Sequence, residues 1–283
     1  MARLAFAIRM VKERWNKERV LCPYCQSRFA IRLQRKWLLI EARQCTHCGL
    51  IYRWPTDAAA DTRDFYESGY EGQQATDVPD ERALSDLVSR NFAGSQYDKR
   101  KRVEFLERVL GPARGRTLLD FGCSWGYSVC QYQTAGWNAS GFELDRNRAA
   151  YGREKLGLDI RSSLDELGER RFDVILSDHS LEHVPQPGET LDIWARLQSD
   201  SGAVVIFVPN GSCTAARRLG VHWGPLIGEA HTVAFTMHWF GRNLGRHGWQ
   251  PAFYTSEGQA LPASEYLVEA GEICVGGRRS ATG

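Results

Sequence analysis

Three groups of residues in this chain have types and spacings suited to chemistry. The first is Cys22-Pro-Tyr-Cys25 and Cys45-Thr-His-Cys48-Gly49, with 19 residues between Cys25 and Cys45. Each CxxC turn presents two thiolates from a tight knuckle, and two knuckles close a tetrahedron around Zn²⁺. Four thiolates leave no open position for water or substrate, so Cys22, Cys25, Cys45 and Cys48 predict a structural zinc ribbon, with His47 spare. The second is the turn Gly122-Cys-Ser-Trp-Gly126, where glycines let the backbone approach a ligand and the following helix offers free N–H groups. Glu143 follows about 20 positions after the turn, where an acid can accept both hydroxyls of a ribose. The third is His179, His183 and His231, whose imidazoles suit proton transfer near neutral pH.

The elements that position these groups follow from periodicity. Thr117–Phe121, Asn138–Phe142, Phe172–Leu176 and Ala203–Val208 read as buried strands, and Tyr127–Ala135, Arg146–Leu156 and Glu189–Gln198 as the helices between them. Alternating strands and helices predict a doubly wound α/β sheet with ligands at the carboxyl ends of its strands. Asp98–Leu110 reads as an amphipathic helix, and Leu4, Ile8, Val11 and Trp15 recur at helical spacing near the start. Between the cysteine pairs, Arg28–Leu33 and Lys36–Ile40 read as the two strands of a hairpin.

Charge divides the chain. Residues 1–56 carry 12 Lys/Arg against 3 Asp/Glu, while the rest is net acidic. Residues 57–86 hold nine acidic and two basic residues, with Phe65, Tyr66 and Tyr70 among them. We therefore divide the chain into a helix and ribbon (1–56), an acidic linker or lid (57–97) and a larger domain (98–283). On that division a chelator should unfold residues 1–56 alone. The basic hairpin, with Arg28, Arg32, Arg35 and Lys36, is either a solvated face or a grip for an anionic ligand. No apolar run reaches the roughly 18–20 residues of a membrane span, and no signal peptide is expected. Cysteine usage fits a reducing compartment, so a cytoplasmic location is expected.

Leu118-Leu-Asp-Phe-Gly-Cys-Ser-Trp-Gly126, Gly141-Phe-Glu-Leu144, Phe172–Asp178, Leu181-Glu-His-Val184 and Val208-Pro-Asn210 together resemble the class I S-adenosylmethionine-dependent methyltransferases. The resemblance covers roughly residues 100–279, and the ribbon in front resembles a bacterial subgroup acting on sugars and secondary metabolites. It implies a seven-stranded Rossmann-like sheet whose last two strands, Trp249–Tyr254 and Ile273–Gly276, form an antiparallel hairpin. It also implies S-adenosylmethionine as cofactor. Asp120, Gly122, Cys123 and Gly126 would surround its methionine part, Glu143 its ribose, and Leu144, Ser163 and Leu164 its adenine. Ser177 and Asp178 would lie near the sulfonium. Ser124 stands where the family usually has glycine.

The cofactor supplies an activated methyl group, and the protein must place a nucleophile in line with it. His231, then His179, are the candidate bases or acceptor ligands; His183 is more readily a loop organiser, and His222 and Trp223 are candidate pocket walls. No Asn/Asp-Pro-Pro-aromatic run follows the fourth strand, which argues against a DNA base amine and for a hydroxyl of a small molecule or sugar, which could be phosphorylated. Alternatives are an RNA methyltransferase using the basic ribbon, a carbon methyltransferase on a ketosugar, and a non-catalytic cofactor-binding interaction protein. Against the RNA reading, few exposed aromatics are expected to interleave with the basic residues and stack bases.

Overall fold

The computed structural model describes residues 2–15, 21–56, 77–262 and 269–279. Phe65, Tyr66 and Tyr70 of the expected lid, and the side chain of Leu4, lie outside the described residues. The chain opens with helix α1 (Ala2–Glu13) and strands β1 (Ala30–Lys36), β2 (Ile40–Cys45) and β3 (Ile51–Trp54). The antiparallel β1–β2 pair runs from Ala30↔Cys45 to Lys36↔Ile40. The expected strand at Lys36–Ile40 is instead the hairpin's tip. Trp37 and Leu38 take φ of 53° and 57° there and lie 67% and 74% exposed. Their apolar character suggested burial, but a tip projecting beyond its sheet has nothing to bury against. Similarly, α1 packs Phe6 and Met10 onto Ile40 and leaves Ile8, Val11 and Trp15 exposed, the reverse of the predicted stripe.

The larger domain follows with α2 (Glu81–Ser89), α3 (Arg100–Leu110), β4 (Thr117–Phe121), α4 (Tyr127–Thr134), β5 (Asn138–Phe142), α5 (Arg146–Leu156) and β6 (Ile160–Arg161). It continues with β7 (Phe172–Asp178), α6 (Pro187–Leu197), β8 (Gln198–Pro209), α7 (Thr214–Leu219), β9 (Val233–Ala234), α8 (Met237–Asn243), β10 (Trp249–Tyr254) and β11 (Glu272–Arg279). Seven strands form one sheet in the order β10-β11-β8-β7-β4-β5-β6. The sheet is parallel from β8 through β6, and β11 runs antiparallel to both β8 and β10. Strand alternation sends Leu118, Val174, Leu176, Val205 and Phe207 to one core, and Leu119, Ile175, Val204, Ile206 and Val208 to the other. Local signals start two of the helices: Asp80 caps α2 through Ala83 N, and Asp145 caps α5 through Asn147 N and Arg148 N.

The ribbon is built into this domain. Its sheet takes a fourth strand, β9, through Ile51↔Ala234 and Tyr52↔Val233. Cys22, Cys45, Cys48, Leu50, Tyr52 and Trp54 belong to the same continuous core as Leu119, Trp194 and Trp239. Asn243 Nδ2 donates to the Cys48 carbonyl at 3.0 Å, and Tyr24 meets the Trp239 ring edge-on at 4.9 Å. The described ribbon residues therefore share a core and a sheet with the larger domain. Within the acidic stretch, α2 packs Leu84 and Leu87 in a cluster with Phe92, Tyr97 and Trp125. That part of the stretch is a docked helix.

Candidate active site

At the carboxyl ends of β4 and β5 the chain makes a polar cradle. Asp120, on β4, is 3% exposed and accepts from Ser128 Oγ at 2.5 Å. Burial pushes its carboxyl up to about 7, against the pull of that hydrogen bond. Glu143, just past β5, accepts from Ser124 N at 2.9 Å through one oxygen and from Asp145 N at 2.8 Å through the other. Its pKa is raised by burial. The two backbone donors fix the carboxylate's rotamer and leave further lone pairs for a diol.

The glycines of the turn also pack tightly against the protein itself. A Cβ on Gly122 would fall 2.4 Å from Ser180 Oγ, and one on Gly126 would fall 2.5 Å from Leu158 Cδ1. Both slots are filled by the protein itself, so these glycines close the turn against its own neighbours. Cys123 is buried beneath the turn, its Sγ close to Gly141. Ser124 takes φ +53° and its buried Oγ has no hydrogen-bond partner among the described residues. Leu144 is half-buried, Ser163 Oγ accepts from Glu166 N at 3.3 Å, and Leu164 is 40% exposed at the rim. Trp125 is fully buried between Tyr97 (5.0 Å) and Tyr127 (5.1 Å) and anchors the turn to the segment before α3.

Beyond the carboxyl end of β7 lies a charged network. Asp178 accepts from Lys99 Nζ at 2.6 Å and Arg102 Nη2 at 2.9 Å. Burial alone would raise its pKa, but these two cations hold it well below the usual carboxylate range. Arg102 also pairs with Glu272 at 2.6 Å, and Glu272 meets His179 Nε2 at 2.6 Å. His179 Nδ1 meets Glu182 Oε1 at 3.2 Å. Burial would lower the His179 pKa, yet hydrogen bonds to Glu182 and Glu272 outweigh it and push it up to about 10. An imidazole protonated at neutral pH cannot accept a proton, so His179 is an ion-pair member and a poor general base. Ser177, beside it on β7, is fully buried, and its Oγ has no hydrogen-bond partner among the described residues.

His183 and His231 form a second pair. Their rings meet edge to face at 4.7 Å. His183 Nδ1 lies 3.1 Å from the Ala230 carbonyl and His231 Nδ1 lies 2.7 Å from the Pro225 carbonyl. A carbonyl only accepts, so each Nδ1 carries a hydrogen and donates it. Burial, with the nearby His231 adding to it, lowers the His183 pKa to about 4, so this ring is neutral at pH 7. The His231 loop is held by the ribbon. Arg53, fully buried on β3, donates Nη1 to the Gly228 and Glu229 carbonyls at 2.7 and 2.9 Å. Thr232 N donates to the Glu182 carbonyl at 3.1 Å. Trp223 packs with Ile51 and Ala42 of the ribbon, and His222 is exposed.

The four knuckle cysteines converge. Cys22 Sγ lies 3.6 Å from Cys48 Sγ, and Cys25 Sγ lies 3.5 Å from Cys45 Sγ. Zn–S bonds of about 2.3 Å in a tetrahedron require sulfur separations of about 3.8 Å, so the cluster fits such an ion. The predicted grip for anions is partly spoken for: Arg35 and Arg43 each lie 2.7 Å from the buried Glu41, and Arg32 lies 3.7 Å from it. Sequence reasoning missed Lys99, Arg102, Glu272, Glu182 and Arg53. Only Glu182, inside the Leu-Glu-His run, carried a local signal; the others meet their partners across 76 or more residues. A cavity of about 570 Å³ lined by His238, Arg242, Phe253 and Leu261 includes none of the predicted site residues.

Comparison with known proteins agrees with this architecture. The methyltransferase-domain family matches residues 81–250, more than half of the chain. A ubiquinone biosynthesis O-methyltransferase of Alkalilimnicola ehrlichii is 27% identical over 118 residues, covering 38% of this chain and 48% of that protein. An uncharacterised methyltransferase of Mycolicibacterium vanbaalenii is 32% identical over 148 residues, covering 48% of this chain and 53% of that protein. The chain thus spans about half the length of the curated relatives it matches. Among solved structures, the 1,6-didemethyltoxoflavin-N1-methyltransferase of Burkholderia thailandensis, solved with its substrate and S-adenosylhomocysteine, has a similar fold. That likeness has a TM-score of 0.50 at 16% identity and covers 89% of this chain and 99% of that one. With its seven-stranded sheet, its acids at the ends of β4 and β5, and a family match over 81–250, the chain belongs to the class I S-adenosylmethionine-dependent methyltransferases.

Proposed function

We propose that the protein transfers a methyl group from S-adenosylmethionine to a hydroxyl of a small molecule, with a structural zinc ion at Cys22, Cys25, Cys45 and Cys48. The observation that supports this reading is the pair of backbone N–H bonds that presets Glu143 beside the turn, together with a second, chemically distinct group of residues past β7. The Asp120–Ser124–Glu143 cradle has an orphaned buried hydroxyl and a preset carboxylate. The His183–His231 pair, each ring donating Nδ1–H to a backbone carbonyl, stands beyond β7. The cradle suits a ribose diol and a cationic amino acid moiety; the imidazole pair suits an oxygen nucleophile. S-Adenosylmethionine supplies a methyl carbon bound to positive sulfur. Glu143 holds the ribose, and Asp120 and Ser124 face the methionine end. His183 and His231 activate the acceptor hydroxyl. Its oxygen bonds to the methyl carbon as the carbon–sulfur bond breaks with its electron pair to sulfur, and the hydroxyl proton leaves to solvent. His179, Asp178 and Glu272 set the shape and field of the acceptor side. A cytoplasmic setting fits the free thiols.

The test is calorimetric titration with S-adenosylhomocysteine, followed by an acceptor screen of phenols, catechols, sugars and RNA by transfer of labelled methyl. Saturable one-to-one binding and methyl transfer to a hydroxyl support the reading; folded protein that binds no S-adenosylhomocysteine refutes it. One observation favours a second reading. Phe29 and Trp37 are 76% and 67% exposed beside Arg28, Arg32 and Lys36, and Lys36 Nζ sits 4.8 Å over the Trp37 ring. Such interleaving suits base stacking on RNA, contrary to the expectation of few exposed aromatics here. RNA binding that falls steeply between about 50 and 200 mM salt would favour it.

A further inference from the structure

The tip of the β1–β2 hairpin and the outer side of α1 present large apolar side chains to solvent. Trp37 and Leu38 stand exposed at the tip, and Trp15, just past the end of α1, is 86% exposed. Arg14 brings the two places together. Its Nη1 donates to the Leu38 and Leu39 carbonyls at 3.0 and 3.1 Å, so the residue beside Trp15 is bonded to the tip itself. Ile8 and Val11, both exposed, continue from Trp15 along one stripe of α1, opposite the Phe6 and Met10 that pack on Ile40. A helix with apolar residues on both sides is expected to be covered on both. Apolar patches of this kind mark surfaces that meet a partner or a membrane. We infer that this surface docks on an anionic lipid bilayer, with Trp15, Trp37 and Leu38 entering the headgroup and acyl boundary and the neighbouring Lys and Arg on the lipid phosphates.

Charge complementarity points to the partner. The first 56 residues carry 12 Lys/Arg against 3 Asp/Glu, and Glu41, one of those acids, is buried against Arg35 and Arg43. Lys12, next to Val11, and Arg32 on β1 are exposed, and Lys36 holds its Nζ 4.8 Å over the Trp37 ring. Tryptophan beside lysine suits the boundary between water and hydrocarbon, because the indole enters the headgroup layer while the ammonium reaches the phosphates. Each cation brought near an anionic bilayer strengthens binding roughly fivefold. The aliphatic members favour lipid over RNA. Ile8, Val11, Leu38, and Leu33 at the bulge of β1 have no ring to stack on a base, whereas acyl chains accept them. A second copy of this chain paired along the β1 edge would bring two rows of Arg28, Arg32, Arg35 and Lys36 face to face, which such edges use to prevent pairing. The surface lies outside residues 81–250, the part that matches the methyltransferase domain, so the ribbon and α1 supply it. The Phe6 ring of α1 also lies 5.2 Å from the Arg53 guanidinium, so the docking helix touches the residue that holds the His231 loop. The inference does not rest on the methyl-transfer reading.

The experiment is co-sedimentation of the full-length, zinc-loaded protein with vesicles of phosphatidylcholine alone, or of equal parts phosphatidylcholine and phosphatidylglycerol, at low and at physiological salt. The expected result is binding to the mixed vesicles, weakened by salt, with little on phosphatidylcholine alone. Replacing Trp37→Ser and Leu38→Ser together should lower the partition coefficient at least tenfold, and Lys12→Glu with Lys36→Glu should do the same. Zinc content should be unchanged in both. Leu38→Ser alone separates lipid from nucleic acid: it should weaken vesicle binding several-fold and leave binding to single-stranded RNA as it was. Three outcomes overturn the proposal. One is no binding to the mixed vesicles, whether or not RNA binds. Another is vesicle binding that survives the Trp37 and Leu38 substitutions. The last is a concentration-dependent dimer that those substitutions abolish without any vesicle binding, which would assign the surface to a second copy of the chain.

Discussion

Replacing Ser124 by glycine should move stability and cofactor affinity in opposite directions. Ser124 occupies the left-handed region at φ +53°, is 5% exposed, and carries an Oγ with no hydrogen-bond partner among the described residues. A non-glycine residue pays roughly 1–2 kcal/mol for that conformation. The buried unsatisfied hydroxyl adds about 1 kcal/mol. Glycine would remove both and lose about 0.5–1 kcal/mol to its freer unfolded chain. The net is a gain of about 1–2 kcal/mol for the free protein, or about 2–4 °C in Tm for a chain of this size. If the hydroxyl exists to meet the cofactor, Ser124→Gly should also weaken S-adenosylhomocysteine by about 1 kcal/mol, roughly fivefold in Kd. Ser124→Ala separates the two, since it drops the hydroxyl and keeps the left-handed strain. Melting by differential scanning fluorimetry and binding by calorimetry read both quantities. A Ser124→Gly protein that melts lower, or binds S-adenosylhomocysteine as tightly as the wild type, would refute the reasoning.

Glu143→Ala should weaken S-adenosylhomocysteine by about 1.5–3 kcal/mol, as expected for a charge-assisted hydrogen bond, and an unchanged calorimetric affinity would remove Glu143 from the ribose site. Asp120 ties binding and stability to pH. Its carboxyl rises from the ordinary 3.8 to about 7 in the folded protein, so the fold holds that proton more tightly than the unfolded chain does. The stability this proton contributes is present below about pH 4 and is lost as pH rises toward 7, so Tm should fall over that window and fall less in Asp120→Asn. Binding of cationic S-adenosylmethionine should strengthen as pH rises through about 7, because ionised Asp120 attracts it. Arg53→Met should leave S-adenosylhomocysteine affinity intact while lowering turnover at least tenfold and Tm by several degrees. Two charge-assisted bonds to the Gly228 and Glu229 carbonyls would be lost, each worth about 1.5–3 kcal/mol. Normal turnover by Arg53→Met would show that the His231 loop needs no such support.

The parallel sheet was legible because its strands are short apolar runs closed by Gly122, Glu143 and Asp178, and such runs have few other places to go. Thr117–Phe121 and Asn138–Phe142 occupy their predicted spans for that reason. The places of Asp120 and Glu143 beside the turn were legible because both sit at fixed offsets from it. The acceptor side was not. Arg102 meets Glu272 across 170 residues, and no local pattern encodes such a pair. His179 looked like a free base because its two carboxylate partners come from different segments, Glu182 and Glu272. The hairpin tip was misread because Trp37 and Leu38 are apolar but exposed, and helix α2 because its charges masked a narrow stripe, Leu84 and Leu87.

The strand pairing of Ile51 and Tyr52 with Ala234 and Val233 has a thermodynamic corollary. With zinc at the four thiolates, the free energy of metal capture is not confined to the knuckles. β3 holds both Arg53 and the edge that β9 completes, and β9 begins two residues after His231. Mass action then couples metal occupancy to the geometry of a loop in the other half of the molecule. Stripping the ion should dissipate order at His231 before it reaches the Glu143 cradle, which hangs from β5 on the far side of the sheet order. A cell short of zinc would then hold a protein that still recognises its cofactor and no longer presents an acceptor-side imidazole to it.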